Sequence, residues 1–355
     1  MFFALLVGSS DESGSAYAWR LPVDISYAPI FLVGSILILW SLSRIVSLQV
    51  VRRMERMGVA GSGVLRLPGR WDMVLRIIIL MMFAAQLILG GWAQLIQVEW
   101  RMHRFILADE LLLLLPFLLM IILFWHSYYP VNRFVREHIV AGQLAEGMAA
   151  RPVWSRSQYI SFNVRTGILI ILVPMLLIKG YMDLLYVIAD RWLPQTKLVD
   201  ITVGIFIFMG IAGIFILAPL ILRHLWLTRP LPAGPLRERL ESFCRRMGLK
   251  NRDLLLWDTH SAVANAAVMG LFGRIRYVLL SDAVIENMPD DQIEAVFGHE
   301  TGHIKHHHII FLVLFVVGAG SLVFYWENWA PRHRRCGWCR RRFGQNMKED
   351  LSEDG

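Results

Sequence analysis

The sequence predicts a mainly α fold, a multi-span helical membrane protein with one small α+β unit facing water. Three observations predict it. Hydrophobic residues make up 56% of the 355-residue chain and charged residues 18%, with a mean hydropathy of +0.49, a balance too apolar for an ordinary soluble protein. Six apolar stretches reach or approach the ~20 residues that a helix needs to cross the hydrocarbon. Between the fifth and the sixth lies a run with the alternating charge and turn residues of a water-facing fold.

In chain order, residues 1–27 read as an N-terminal tail, because MFFALLVGSS has a short apolar run and no basic residue before it, unlike a signal peptide. Residues 28–227 form a membrane domain of about five spans, placed at Ala28 to Leu48, Met73 to Leu95, Ala108 to Trp125, Gly167 to Ile188 and Ile201 to Leu222. Arg44 near the end of the first and Asp109 and Glu110 at the start of the third put those charges close to an interface. The loops Val51 to Trp71 and Pro130 to Thr166 each carry five arginines and are expected in the cytoplasm. That alternation sets the N-terminus outside and the stretch from Arg223 to His308 inside. The expected location is therefore the cell (cytoplasmic) membrane, with the water-facing unit on the cytoplasmic side. Lys179 and Asp183, four apart within the fourth stretch, read as a self-neutralising pair, with a part in substrate passage as the other reading. Trp92, Trp100, Trp125, Trp192, Trp226, Trp326 and Trp329 near span ends read as interfacial anchors.

The net charge of +8 (36 basic minus 28 acidic) comes mainly from arginines between apolar runs, so the expected partner is the lipid bilayer and no nucleic acid. Cys244, Cys336 and Cys339 make no disulfide framework.

Residues 228–308 are the water-facing unit. RPLPAGP reads as a linker, and PLRERLESFCRRMGL as an amphipathic helix stopped by Gly248. DLLLWD and YVLLSD read as short strands either side of a small-residue stretch. A last helix follows, with Asn287 expected as its cap, Pro289 in its first turn, and Asp290 and Asp291 complementing the dipole.

That helix carries FGHETGHIKHHH, in which five of the chain's eleven histidines fall between His299 and His308. On a helix, His299 and His303 share one face, where two imidazoles can hold one Zn²⁺, and Glu300 can reach a water beside it. Such an ion acidifies its water toward a pKa of about 7, and Glu300 is the base placed to take the proton. Gly302 leaves room for another chain. The competing reading is an amphipathic helix whose histidines are satisfied at a membrane interface; the position on a capped helix, after a strand, in the soluble unit favours the metal.

The run NAAVMGLFGRIRYVLLSDAVIENMPDDQIEAVFGHETGHIKHH resembles the core of the membrane zinc metallopeptidases typified by HtpX and the CAAX prenyl endopeptidases, over about residues 236–308. The resemblance implies a gluzincin-like zinc-metallopeptidase unit. It further implies that His299 and His303 are metal ligands, Glu300 is catalytic, and Asn265, in an Asn-Ala pair before an extended edge, lines the substrate cleft; a turn role for Asn265 stays open. The expected activity is that of a membrane-bound zinc metalloendopeptidase acting on polypeptides, either membrane-associated or misfolded.

The third metal ligand is unknown from the sequence. His307 would lie about 12 Å along the helix from His299, too far to share an ion, and the metzincin spacing would need a histidine at Ile309. In the resembled family it is a glutamate on a later helix, followed by a small residue and an aspartate, an element this sequence does not display. Glu327 is a weak candidate, carried about 28 Å from His308 by a straight span over 309–326 unless that run folds back at Gly318 and Gly320. The tail, 327–355, holds a basic C-x-x-C segment, RRCGWCRRRFG, that conflicts with the charge rule and suggests a truncated or altered C-terminus. The alternative function is accordingly a non-catalytic scaffold, a degenerate metallopeptidase lacking its third ligand.

Overall fold

The computed structural model describes residues 25–306 except 58–65, 103–104, 146, 148–150 and 195, together with 311, 314, 315, 318, 319 and 322. The apolar runs become helices, since a helix alone satisfies every backbone N–H and C=O within its own segment. They are α1 (Ala28–Met57), α2 (Arg66–Ile88), α3 (Ala108–Ala145), α4 (Arg156–Asn163), α5 (Ile170–Trp192) and α6 (Lys197–Leu225). A π-helical turn at Val164–Leu169 joins α4 to α5. Five of these helical segments, with α4 and α5 taken together, are long and apolar enough to cross a membrane. The chain is an integral membrane protein with five candidate spans among its described residues. The sixth expected span, 309–326, lies outside them apart from isolated positions.

Four of the five spans overrun their expected ends, whereas α2 starts before Met73 and stops at Ile88, short of the expected Leu95. α3 has 38 residues, roughly 57 Å of helix against a hydrocarbon core of ~30 Å, and it continues past Trp125 although Pro116 and Pro130 lie inside it. α4 begins at a capping box, in which Ser155 Oγ accepts from Gln158 N–H while the Gln158 side chain accepts from Ser155 N–H.

By residue contacts the described chain forms two compact units that interleave along the sequence. The first comprises the residues up to Leu231 with Leu254–Asn265 and Leu279–Asn287. Its core is the packing of α1, α2 and α3, with Leu39, Leu75, Ile79, Met120 and Phe124 fully buried. α5 pairs with α6, and both keep large apolar side chains such as Leu184, Phe206, Phe208 and Phe215 on their outer faces, as helices bathed in lipid do. Lys179 pairs with Asp183 (2.6 Å) and also with Glu110 of α3 (3.1 Å), so the expected two-residue pair is a triad joining two helices.

In this unit β1 (Thr228–Pro230) pairs antiparallel with β2 (Asp253–Trp257), with Arg229 opposite Leu256, and the indoles of Trp226 and Trp257 stack at 4.8 Å. The stretch expected as a linker thus opens with a strand, because β2 offers it a free row of backbone groups. β2 borders β4 (Tyr277–Ser281), from which the short helix α8 (Asp282–Asn287) emerges.

The second unit comprises Pro232–Asp253, Ala266–Val278 and the residues from Met288 onward. It holds α7 (Pro235–Arg246), β3 (Ala266–Met269) beside the first residues of β4, and α9 (Asp290–Lys305). The strand order is β1-β2-β4-β3, so β3 is an edge. α7 ends at Gly248 in the left-handed region (φ 67°), as the sequence suggests.

Candidate active site

α9 begins at Pro289, whose extended backbone (φ −62°, ψ 151°) is the N-cap and whose carbonyl accepts from Gln292 and Ile293 N–H. Asn287, expected in that role, is instead the last residue of α8, donating its side-chain amide to Ala283 O at 2.8 Å. The short helix α8 uses the residues just before the proline, which displaces the cap by two positions. Asp290 and Asp291 do occupy the first turn.

Ile293, Phe297 and Thr301 recur every four residues and are buried, forming one stripe of α9. Phe297 meets the Phe243 ring of α7 edge-on at 5.6 Å. Gly298 lies against the same ring; a methyl there would come within 3.3 Å of it. Arg239 donates to Glu294 at 2.6 Å and to Asp291, and Arg246 reaches Glu294 at 3.0 Å, which sets the register of α7 along α9. α9 also packs on β3.

At 100° per residue, His299 and His303 fall on the side of α9 opposite Phe297, with Glu300 between the two sides. His299 is exposed; Glu300 and His303 are half-buried. The two imidazoles stand edge to face with ring centroids 4.9 Å apart. Two rings each bound at about 2 Å to one zinc have centroids roughly 5 Å apart, so spacing and donor type fit the ion. Nothing lies within 4 Å of where a Gly302 methyl would project, leaving the helix surface beside the histidines open. Among the described residues no group of three or more His, Cys, Asp or Glu side chains converges; His307 and Glu327 lie outside them.

Asn265 is exposed and directly precedes the edge strand β3. Its backbone is fixed on both sides, donating N–H to Ser281 Oγ and accepting Ser281 N–H at its carbonyl, each at 3.0 Å. Sequence reading missed what holds the preceding loop. Asp282, 1% exposed, accepts from Thr259 Oγ1 (2.5 Å), Ser261 N–H (3.0 Å) and Ala283 N–H (2.9 Å), and it pairs with Arg151 at 3.0 Å. Burial alone would raise its pKa, but the Thr259 hydroxyl and these N–H donors outweigh it and hold the carboxyl below the ordinary carboxylate range. The signal available in the sequence was a carboxylate closing an apolar strand, which must find a partner once buried.

Among the described residues, then, a helix bearing two histidines on one face packs on an edge strand in a chain with five candidate spans. Residues 230–341 match the sequence model of Peptidase family M48. A Protease HtpX homolog of Bacteroides fragilis is 27% identical over 175 residues, covering 44% of this chain and 54% of that protein. A CAAX prenyl protease 1 homolog of Oryza sativa subsp. japonica is 33% identical over 84 residues, covering 23% of this chain and 20% of that one. Both are distant homologues, and the chain spans about half the length of the first and about a fifth of the second. The crystal structure of S. mikatae Ste24p matches with a TM-score of 0.50 at 18% identity, over 84% of this chain and 72% of that one, which shows a shared fold. The family match runs to residue 341, past the point at 308 where the sequence resemblance ends.

Proposed function

We propose that the chain is a membrane-bound zinc metalloendopeptidase that hydrolyses peptide bonds in membrane-associated or misfolded proteins. The observation that carries the reading is the His299–His303 pair on one face of α9, with Glu300 one residue from the first histidine, inside the family-matched segment. His299 and His303 would hold the ion through ring nitrogens, with a third ligand from outside the described residues. Zinc, when bound, supplies a Lewis acid that polarises a carbonyl and acidifies water. Glu300 takes the proton from the attacking water on a carboxylate oxygen and delivers it to the departing amide nitrogen. Asn265, at the head of the edge strand, lines the cleft and orients the extended substrate. The division into a membrane domain over 28–227 and a peptidase domain over 228–308 belongs to the same proposal. So does its facing the cytoplasm, supported by the arginine-rich loops.

Glu300→Gln tests the assignment, because it removes the proton acceptor and leaves both imidazoles. With β-casein and with a membrane-tethered unfolded reporter as probes, the variant should retain zinc and lose cleavage by roughly a hundredfold to ten-thousandfold, the usual scale for a positioned general base. Turnover at the wild-type rate would reject Glu300 as the base.

A further inference from the structure

His260 and Ser261 lie consecutively in the left-handed backbone region, at φ 52° and 59°. Residues with a side chain adopt it only where their surroundings hold them there. The surroundings here are dense. Asp282 accepts from Thr259 and Ser261. Asp258 accepts from His260 N–H, and Glu286 accepts from the Ser261 hydroxyl. From the segments after and at the end of α3, Arg136 donates to Ser261 O at 3.1 Å, and its guanidinium lies over the Trp154 ring. That same ring meets the His260 imidazole edge-on at 5.5 Å.

Arg151 draws the three carboxylates together. Its guanidinium pairs with Asp258 and Asp282 at 3.0 Å each and with Glu286 at 2.6 Å. A planar fork with five N–H donors can serve three acceptors at once, which a lysine cannot do with the same geometry. Without it, three carboxylates would crowd one loop. The loop it restrains runs in four residues from Ser261 to Asn265, whose backbone is pinned to Ser281, and the next residue begins the edge strand.

We infer that Arg151 is a positioning residue for substrate binding: by clamping Asp258, Asp282 and Glu286 it fixes the strained strap 259–264 and so sets where Asn265 stands. The inference rests on the proposed peptidase function, and it assigns to a loop between two spans a part in presenting Asn265 to the substrate. Arg151 touches no reacting atom, so its loss raises KM and spares the chemical step.

The test uses the full-length protein in detergent or nanodiscs, with β-casein as the substrate probe. In Arg151→Ala, amide hydrogens of residues 259–265 should exchange at least tenfold faster while those of 293–305 are unchanged. KM should rise about tenfold with kcat within twofold, and zinc content should stay as in wild type. Arg151→Lys, which keeps the charge and loses the fork, should fall between wild type and alanine, and it carries the test if the alanine variant does not fold. Unchanged exchange at 259–265 overturns the clamp, and faster exchange with unchanged KM overturns its role in substrate binding. A wild-type protein that neither holds zinc nor cleaves casein overturns the peptidase reading and this role with it. The exchange measurement separates that failure from a failure of the clamp.

Discussion

Lys179→Met should destabilise the membrane domain by about 3–5 kcal/mol, the usual cost of removing one partner from a buried ionic cluster. Lys179 lies 3.1 Å from Glu110 and 2.6 Å from Asp183, and those two carboxylate side chains are 10% and 19% exposed. At an effective dielectric of 20, a unit pair 3.1 Å apart attracts by about 5 kcal/mol, and the closer pair by slightly more. Desolvation offsets much of this while all three charges are present. Remove the ammonium and the offset remains without the attraction, and two carboxylates are left facing each other across α3 and α5. Glu110→Gln and Asp183→Asn added to Lys179→Met delete the stranded charges and should recover most of the loss, because an uncharged cluster of similar volume is close to neutral. Denaturant titration of the purified protein in micelles, followed by tryptophan fluorescence, reads all variants on one scale. A loss below about 1 kcal/mol for Lys179→Met, or no recovery in the triple variant, would refute the reasoning and mark the cluster as solvated.

Two further outcomes follow from groups outside the spans. Because the folded pKa of Asp282 lies below its unfolded value of about 4, its contribution to stability is full above that value and is lost as pH falls through the folded one. The stability difference between wild type and Asp282→Asn should therefore be constant from pH 7 to about 5 and shrink below about 4; a difference independent of pH down to 2 would contradict it. Cys244 is buried and its thiol is pushed up to about 11, first by burial and then by the Glu241 charge. In a Cys336→Ser, Cys339→Ser background, native protein should react with a thiol reagent at pH 8 at least a hundredfold more slowly than unfolded protein, and equal rates would show the site open.

Much of the fold was readable because its signals are local. An apolar run of span length has few other structures open to it, so the five spans were placed, although their ends were underestimated where α3 continues as a helix through Pro130. β2 and β4 are buried at nearly every position, and their unbroken apolar runs announced them. β1 and β3 were not announced. β1 contains a proline and exists through pairing with β2, while β3 is a small-residue segment defined by its neighbours β4 and α9. The His299–His303 pair was legible because helical periodicity brings residues four apart together. The clamp was not, since Arg151 lies 135 residues from Glu286 and 107 from Asp258, and no periodicity reports such a distance. Glu110 was noted as a charge near an interface, and only the packing of α3 beside α5 makes it the partner of Lys179.

The central claim is that His299 and His303 grip one zinc ion. Elemental analysis of the purified full-length protein after exhaustive dialysis tests it most directly. The account predicts about one equivalent per chain in wild type and in Glu300→Gln, falling at least tenfold in His299→Ala and in His303→Ala. Wild-type protein that takes up no zinc, or alanine variants that hold as much as wild type, would contradict it and leave the non-catalytic scaffold as the better description.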